Sequence, residues 1–303
     1  MDKHTQKHDT FLRAIMANKE IALDYFRTCL PQNIQDLLDF STLEQLPDTY
    51  VSKELQKSIS DIVYTCKRAG GKGEVKISLL VEHKSYVDKY VPIQIGSYIF
   101  SGLLKQIGNK ESPSLIIPIL LYHGKDRWEY KTLVDLFEDL EPVLQGFVPD
   151  YQYIFHNLGQ IPDEDIVALH NRFLAASFLA MKYSAFKEHL NALIPTILTL
   201  GSDMEKNLLN TLIVYTLVGN PLGREQFLEL ITSLPPFPNK ESIMDTLEQF
   251  VEKGRKEGQE EKALDAIKRM IKLSSLTDEQ IAVFLDVTVN YVANVRKRVA
   301  SEL

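Results

Sequence analysis

Between Ser114 and His123 the chain runs through eight almost wholly apolar residues, Leu115–Tyr122. The run is too short to span a bilayer, which takes about 20 residues. It lacks the polar alternation of a strand with one wet face. It therefore reads as a strand buried on both faces, and such a strand needs a covering layer on each side of its sheet. The surrounding chain supplies the rest of that sheet. Ile59–Cys66 is β-branched and alternating, and Val75–Glu82 repeats the pattern after the turn cluster Gly70-Gly71-Lys72-Gly73. The two read as a hairpin. Tyr151–Leu158 is a further expected strand.

Helical periodicity brackets these strands. Phe11, Leu12, Ile15, Met16, Ile21, Phe26 and Leu30 fit one helix ended by Pro31, and a weaker helical pattern covers Asn33–Leu43. An amphipathic helix is expected over Ile93–Ile107. From Asp163 the strand signals stop. Helices are expected over Asp163–Met181, Ala185–Thr199, Asp203–Val218, Arg224–Leu234 and Lys240–Glu252, with another over Ala263–Ile271. The expected fold class is α/β: a mixed central sheet flanked by helices, then an all-α middle region and a small C-terminal helical unit. The corresponding regions are 1–158, 159–252 and 253–303.

Composition narrows the function classes. Hydrophobic residues make up 45% and charged residues 25%, which excludes a largely disordered chain. The 34 Lys and Arg against 41 Asp and Glu give a net charge of −7, which excludes a general polycation coating nucleic acid. A local basic patch remains compatible with binding DNA, because the field that matters is local. Two cysteines, Cys29 and Cys66, make no disulfide framework and point to a reducing compartment. The polar start Met1–His8 lacks the apolar core of a secretory signal. A cytoplasmic protein without membrane association is expected.

The hairpin carries the chemistry. Asp61 lies in its first strand and Glu82-His83-Lys84 ends the second. Alternation puts Glu82 and Lys84 on one side and His83 on the other, and the hairpin can bring Asp61 beside Glu82. Two carboxylates at a sheet end repel, and a divalent cation between them resolves the repulsion. Mg²⁺ suits one or two carboxylates completed by water and phosphate oxygens, and there it polarises a phosphodiester and activates water. Lys84 then orients that water or stabilises phosphate charge; at an ordinary lysine pKa of about 10.4 it is a poor base. Gln94 and Tyr98 are four apart on the following helix, on one face, and either can hold Lys84 or a phosphate. A solvated Glu–Lys strand face and a core tyrosine are the plain alternatives.

The order Asp61, Glu82-x-Lys84, Gln94-x-x-x-Tyr98 resembles the PD-(D/E)xK nuclease superfamily, with the Gln-x-x-x-Tyr addition of its RecB-like branch. More narrowly, the chain is similar to the bacterial recombination-promoting nuclease and transposase (Rpn, YhgA-like) family. The similarity rests on His8-Asp9-Thr10-Phe11, Ser60–Tyr64, Leu79–Ser85 and Ile119–Gly124, with the spaced glycines of Lys253–Gly258 and the C-terminal unit matching its layout. The resemblance implies a PD-(D/E)xK-like fold and a DNA endonuclease dependent on Mg²⁺ or Mn²⁺, in families that assist recombination-like transfer and are linked to mobile elements or phage defence. It implies that Asp61 and Glu82 bind metal, joined by the backbone carbonyl of His83, and that Lys84 is catalytic. Ser60 stands where the superfamily has proline, a position that supplies no chemistry. Lys84 stands where many relatives carry glutamine, which favours an intact enzyme.

Other residues carry weaker signals. His8-Asp9 is expected to open the first helix, with Asp9 or Thr10 as its cap. His123 ends an apolar strand and has no histidine at metal-ligand spacing. Trp128 and Tyr130 offer rings for a base, though a lone loop tryptophan more often packs on its domain. In the C-terminal unit Thr277-Asp278-Glu279-Gln280 is a capping box. A helix over Asp278–Leu285, a turn at Asp286-Val287-Thr288 and a helix from Val289 give helix-turn-helix spacing. Asn290, Asn294, Arg296, Lys297 and Arg298 on the second helix could reach bases and phosphates. The competing reading is a homo-oligomerisation module, since residues 251–303 hold ten Lys and Arg against nine Asp and Glu. The alternative to the endonuclease is thus a non-catalytic DNA-binding or assembly protein acting through these helices.

Overall fold

A computed structural model describes residues 3–46, 60–70, 74–82, 87–217, 224–233, 264–268 and 277–301, apart from Asp286, with a few further positions between 236 and 271. The chain forms two compact units. One comprises Met1–Gly223 with Ser233–Ile243, the other Arg224–Thr232 with Met244–Leu303.

The first unit is built on a five-stranded mixed sheet. Its strands are β1 (Leu38–Gln45), β2 (Ser60–Arg68), β3 (Glu74–Glu82), β4 (Leu115–Tyr122) and β5 (Ile154–Asn157), ordered in space as in sequence. β1, β2 and β3 pair antiparallel; β3, β4 and β5 pair parallel. β4 is an interior strand whose apolar run is buried on both faces, as its composition requires. Alternate residues feed two cores. Ile62, Tyr64, Cys66, Ile119 and Leu121 pack with the helices α1 (Lys3–Met16), α2 (Lys19–Cys29), α7 (Arg172–Lys182), α8 (Lys187–Gly201) and α9 (Lys206–Leu217). Val63, Ile116, Leu120 and Tyr122 pack on the other face with α4 (Val91–Gly108). Short helices α3 (Gln32–Gln35), α5 (Pro142–Gln145) and α6 (Asp163–Val167) lie in the connections.

Four expectations need correction, each for a local reason. The single helix of residues 11–30 is two helices. Asn18 caps the second, its Oδ1 accepting from the Glu20 and Ile21 N–H groups at 3.0 and 3.2 Å. His8-Asp9 lies inside α1 rather than opening it, because the helix starts at Lys3. The helical pattern over Asn33–Leu43 is the four-residue α3 followed by β1. The β1–β2 register slips between Asp39 and Glu44, where the Asp39 carboxylate accepts from the Ser41 N–H and hydroxyl. That bulge removes the alternation that marks a strand. Asp163–Met181 is broken into α6 and α7 by Asn171, whose Oδ1 accepts from the Leu174 N–H at 2.9 Å.

In the second unit, α10 (Arg224–Ser233) buries Phe227 and Ile231. α11 (Asp278–Leu285) and α12 (Val289–Ser301) share a core of Ile281, Ala282, Val292, Val295 and Val299, which Ile267 joins from the helical stretch 264–268. The capping box forms: the Thr277 N–H donates to Gln280 Oε1 at 3.0 Å, and the Gln280 N–H to Thr277 Oγ1 at 3.3 Å. No described helix is long and apolar enough to cross a membrane.

Candidate active site

The sheet register sets the frame. Asp61 pairs with Leu80 across the β2–β3 hairpin, and Glu82 pairs with Tyr122 across the parallel β3–β4 ladder. Residues of like parity share a face. Positions 61 and 82 therefore lie on one face, the face of Val63, Leu120 and Tyr122 that α4 covers. Both stand at one edge of the sheet, where the parallel strands β3, β4 and β5 end. Crevices at the carboxyl ends of parallel strands are where open α/β sheets bind ligands. His83 and Lys84 lie outside the described residues.

α4 brings in the next pair. Gln94 is half-buried and donates its Nε2–H to Asp88 Oδ2 at 3.0 Å. Tyr98, one turn further on, is buried among Val63, Ile95 and Leu120. Its ring does core work beside whatever its hydroxyl contributes. Asp88 is a residue that sequence reasoning missed. Its Oδ1 accepts from the Tyr90 N–H at 2.9 Å and its carbonyl from the Val91 N–H at 3.3 Å. Tyr90 stands at the N-cap without a side chain able to cap, so Asp88 takes over that task. An aspartate shortly before Pro92 is a helix-start signal that the sequence does carry.

The structure also joins two histidines that the sequence keeps far apart. His8 and His123 are both buried, with ring centroids 4.7 Å apart. His8 Nδ1 and the Tyr215 hydroxyl share a hydrogen bond of 2.6 Å, and Phe11 stacks on Tyr215. Burial drives the Tyr215 phenol far above its ordinary value, so it stays protonated. His123 follows Tyr122, the register partner of Glu82, so this cluster sits beside the same strand ends. The turn there is fixed by Tyr122, whose hydroxyl donates to the Asp126 carbonyl at 2.8 Å and whose ring leaves Gly124 no room for a Cβ.

The remaining candidates are structural. Trp128 is buried against Tyr122 and Phe155, so it offers no face to a base. Tyr130 is partly exposed and lies on Tyr153. His156 is buried beside Tyr25, and His189 stacks on Tyr183. Burial raises the Cys66 thiol, as it does that of Cys29, so neither is a ready nucleophile. Two concavities flank the turn after β4. One, of about 230 Å³, is lined by Asp88, Lys89, Arg127 and Lys131, the other, of about 580 Å³, by Lys125, Asn157 and Lys182. A larger apolar groove of about 1210 Å³ opens at the opposite end of the sheet, among Leu38, Val75, Leu103 and Leu115.

On α12, Asn290, Asn294, Lys297 and Arg298 are exposed and spaced along one helical face. Arg296 is half-buried and pairs with Asp278 at 2.7 Å.

Comparison with known proteins gives one consistent set of matches. Residues 6–208 match the family described as "Putative transposase, YhgA-like". The chain is 25% identical over 272 residues to the inactive recombination-promoting nuclease-like protein RpnE of Escherichia coli (strain K12), covering 87% of this chain and 89% of that protein. It is 23% identical over 291 residues to the recombination-promoting nuclease RpnA of the same strain, covering 91% and 96%. It is 23% identical over 247 residues to the recombination-promoting nuclease RpnD of Escherichia coli O157:H7, covering 80% and 93%. No solved structure matches. A family match across the sheet and the helices that cover it, with relatives aligned along nearly their whole lengths, means that this chain belongs to the YhgA-like transposase (Rpn) family.

Proposed function

We propose that the chain is a DNA endonuclease of the PD-(D/E)xK type, dependent on Mg²⁺ or Mn²⁺. The reading rests on one observation above all. Asp61 and Glu82 occupy like-parity positions at the carboxyl edge of a mixed sheet, on the face covered by the helix that carries Gln94 and Tyr98. The names of RpnA and RpnD support it, and that of RpnE makes Lys84 the feature to test.

The donor set fits the cation. Asp61 and Glu82 supply hard carboxylate oxygens, the His83 carbonyl supplies a third, and Mg²⁺ prefers such a sparse oxygen set. When bound, the cation supplies Lewis-acid polarisation of the phosphodiester and a more acidic water. The protein's own groups do the rest. The carboxylates fix the site against the strand ends, and the Lys84 ammonium stabilises charge that develops on the phosphate. Gln94 and Tyr98 hold the alkylammonium or the phosphate in place. Hydrolysis then breaks one phosphorus–oxygen bond of the DNA backbone.

A second reading has its own support. The exposed Asn290, Asn294, Lys297 and Arg298 stripe suits a duplex groove, so the C-terminal helices engage DNA, or assemble copies of the chain, with or without catalysis. The deciding experiment is cleavage of supercoiled plasmid with and without Mg²⁺ by wild type and Lys84→Ala. Metal-dependent nicking that falls by at least about 100-fold in the variant is the expected result, matching loss of one transition-state donor. Equal nicking by the two proteins sinks the site assignment, and silence of the wild type in every metal and salt favours the second reading.

A further inference from the structure

We propose that the outer face of α4 and the apolar groove beside it form a contact between two copies of this chain, a contact independent of the endonuclease reading because it assigns no residue to metal or DNA.

A helix laid on a sheet normally turns a polar side to water. α4 does not. Its inner side carries Val91, Ile95 and Tyr98, all buried. Its outer side carries Ile93, Phe100, Leu104 and Ile107, each more than half exposed. With Ser97 these residues follow one another at intervals of four, three, four and three, the spacing of a helix–helix seam. The seam carries no charge. Lys105 is the single charged residue of α4 and lies off it. The flanking Gln94, Gly96, Ser101, Leu103 and Gly108 are uncharged as well. Across a two-fold axis identical groups meet, so any charge on the seam would face its own kind. Here none does. DNA, a polyanion, finds no cation on this face to pair with.

The groove supplies the complementary surface. It holds about 1210 Å³, and Ile99 and Leu103 of α4 line it together with Leu38, Val75 and Leu115. Arg68, Glu111 and Asp150 add polar groups to that lining. Ridge and groove thus share one helix. A two-fold contact needs a single patch that complements itself, so that every residue pair occurs twice. Seating the Phe100–Leu104 ridge of each copy in the groove of the other meets that need. The area is of the right order. Large side chains that are half exposed offer roughly 100 Å² each, so four supply roughly 400 Å² of the about 800 Å² per partner in a standard interface. Contiguous apolar patches of this size on a soluble protein mark places where something docks.

Sedimentation velocity of the full chain, from nanomolar to high micromolar concentration, tests the contact. Wild type should self-associate. Phe100→Glu/Leu104→Glu should raise the dissociation constant of that association at least about 30-fold, the loss expected when central anchors of an interface are removed. Phe100→Gln/Leu104→Gln, which introduces no charge, should weaken it in the same direction. Thermal melts of the three proteins verify folding. Hydroxyl-radical footprinting of wild type then locates the contact without any substitution: labelling of Phe100, Leu104 and Ile107 should fall several-fold as the protein associates. Association that folded variants leave unchanged places the contact elsewhere, for instance on the C-terminal helices, and overturns the proposal. So does labelling of the α4 residues that stays constant while the chain associates. A wild type that remains monomeric throughout, with the stripe fully labelled, also overturns it and leaves this face to a different protein.

Discussion

The imidazole of His156 packs against the rings of both Tyr25 and Phe178, with Nδ1 3.3 Å from the Tyr25 hydroxyl. Burial lowers its pKa from 6.5 to about 4. The unfolded chain therefore takes up this proton more readily than the folded one. The resulting stability is complete above about pH 6.5, is lost as the pH falls through about 4, and amounts to about 3 kcal/mol. Urea unfolding at pH 7 and pH 4.5 should show most of that drop in wild type, and His156→Gln should lose most of the difference between the two pH values. An unchanged difference would mean that other groups carry the acid sensitivity. At this scale the sequence is informative where a residue acts through its neighbours in the chain and silent where it acts through distant ones. Asp88 stands in a readable helix-start pattern before Pro92. The hydrogen bond of His8 with Tyr215 joins residues 207 apart, and no local spacing announces it.

Among the elements, β2, β3 and α4 are legible because their hydrophobic periods mark them, and β4 because its short run is apolar throughout. β1 is not, because its bulge breaks the alternation that would mark it. The helices of residues 3–29 and 163–182 read too long for a related reason. Apolar periodicity runs on across Asn18 and Asn171, while the backbone stops there to be capped. α12 is legible, but the split of its polar residues is not. Arg296 is held by Asp278, which leaves Asn290, Asn294, Lys297 and Arg298 as the outward face. If that face meets DNA, Lys297→Ala/Arg298→Ala should weaken binding to duplex of any sequence in metal-free buffer. The slope of log K against log salt should shrink by about one for each phosphate no longer neutralised. A changed sedimentation coefficient with unchanged DNA affinity would assign the face to self-assembly instead.

For the whole molecule, the proposed cation site predicts a stability that depends on divalent metal. If Asp61 and Glu82 share a cation, then in its absence Asp61→Asn/Glu82→Gln should melt at or above the wild-type temperature. With Mg²⁺ at about 100 times its dissociation constant, wild type gains about 2.7 kcal/mol and the order should reverse. Parallel melts in chelator and in Mg²⁺ read this crossing without any cleavage assay; coincident curves would mean that the two carboxylates hold no cation. The sheet has one more property with reach. Its five strands are ordered in space as in sequence, so each strand leaving the ribosome finds its neighbour already made. The layer on its α1 side is different. Its N-terminal helices wait for partners made much later, α2 for α7 and α1 for α9. During synthesis, therefore, the layer of Ile15, Met16 and Phe26 is seated on the sheet, with Phe26 against Tyr64, but lacks its helical cover until residues 172–217 emerge. A nascent chain stalled after β5 would hold its sheet yet expose that apolar layer, a ready substrate for a chaperone. The strand ends that carry Glu82 and His123 would gain their buried histidine pair only once Tyr215 is in place.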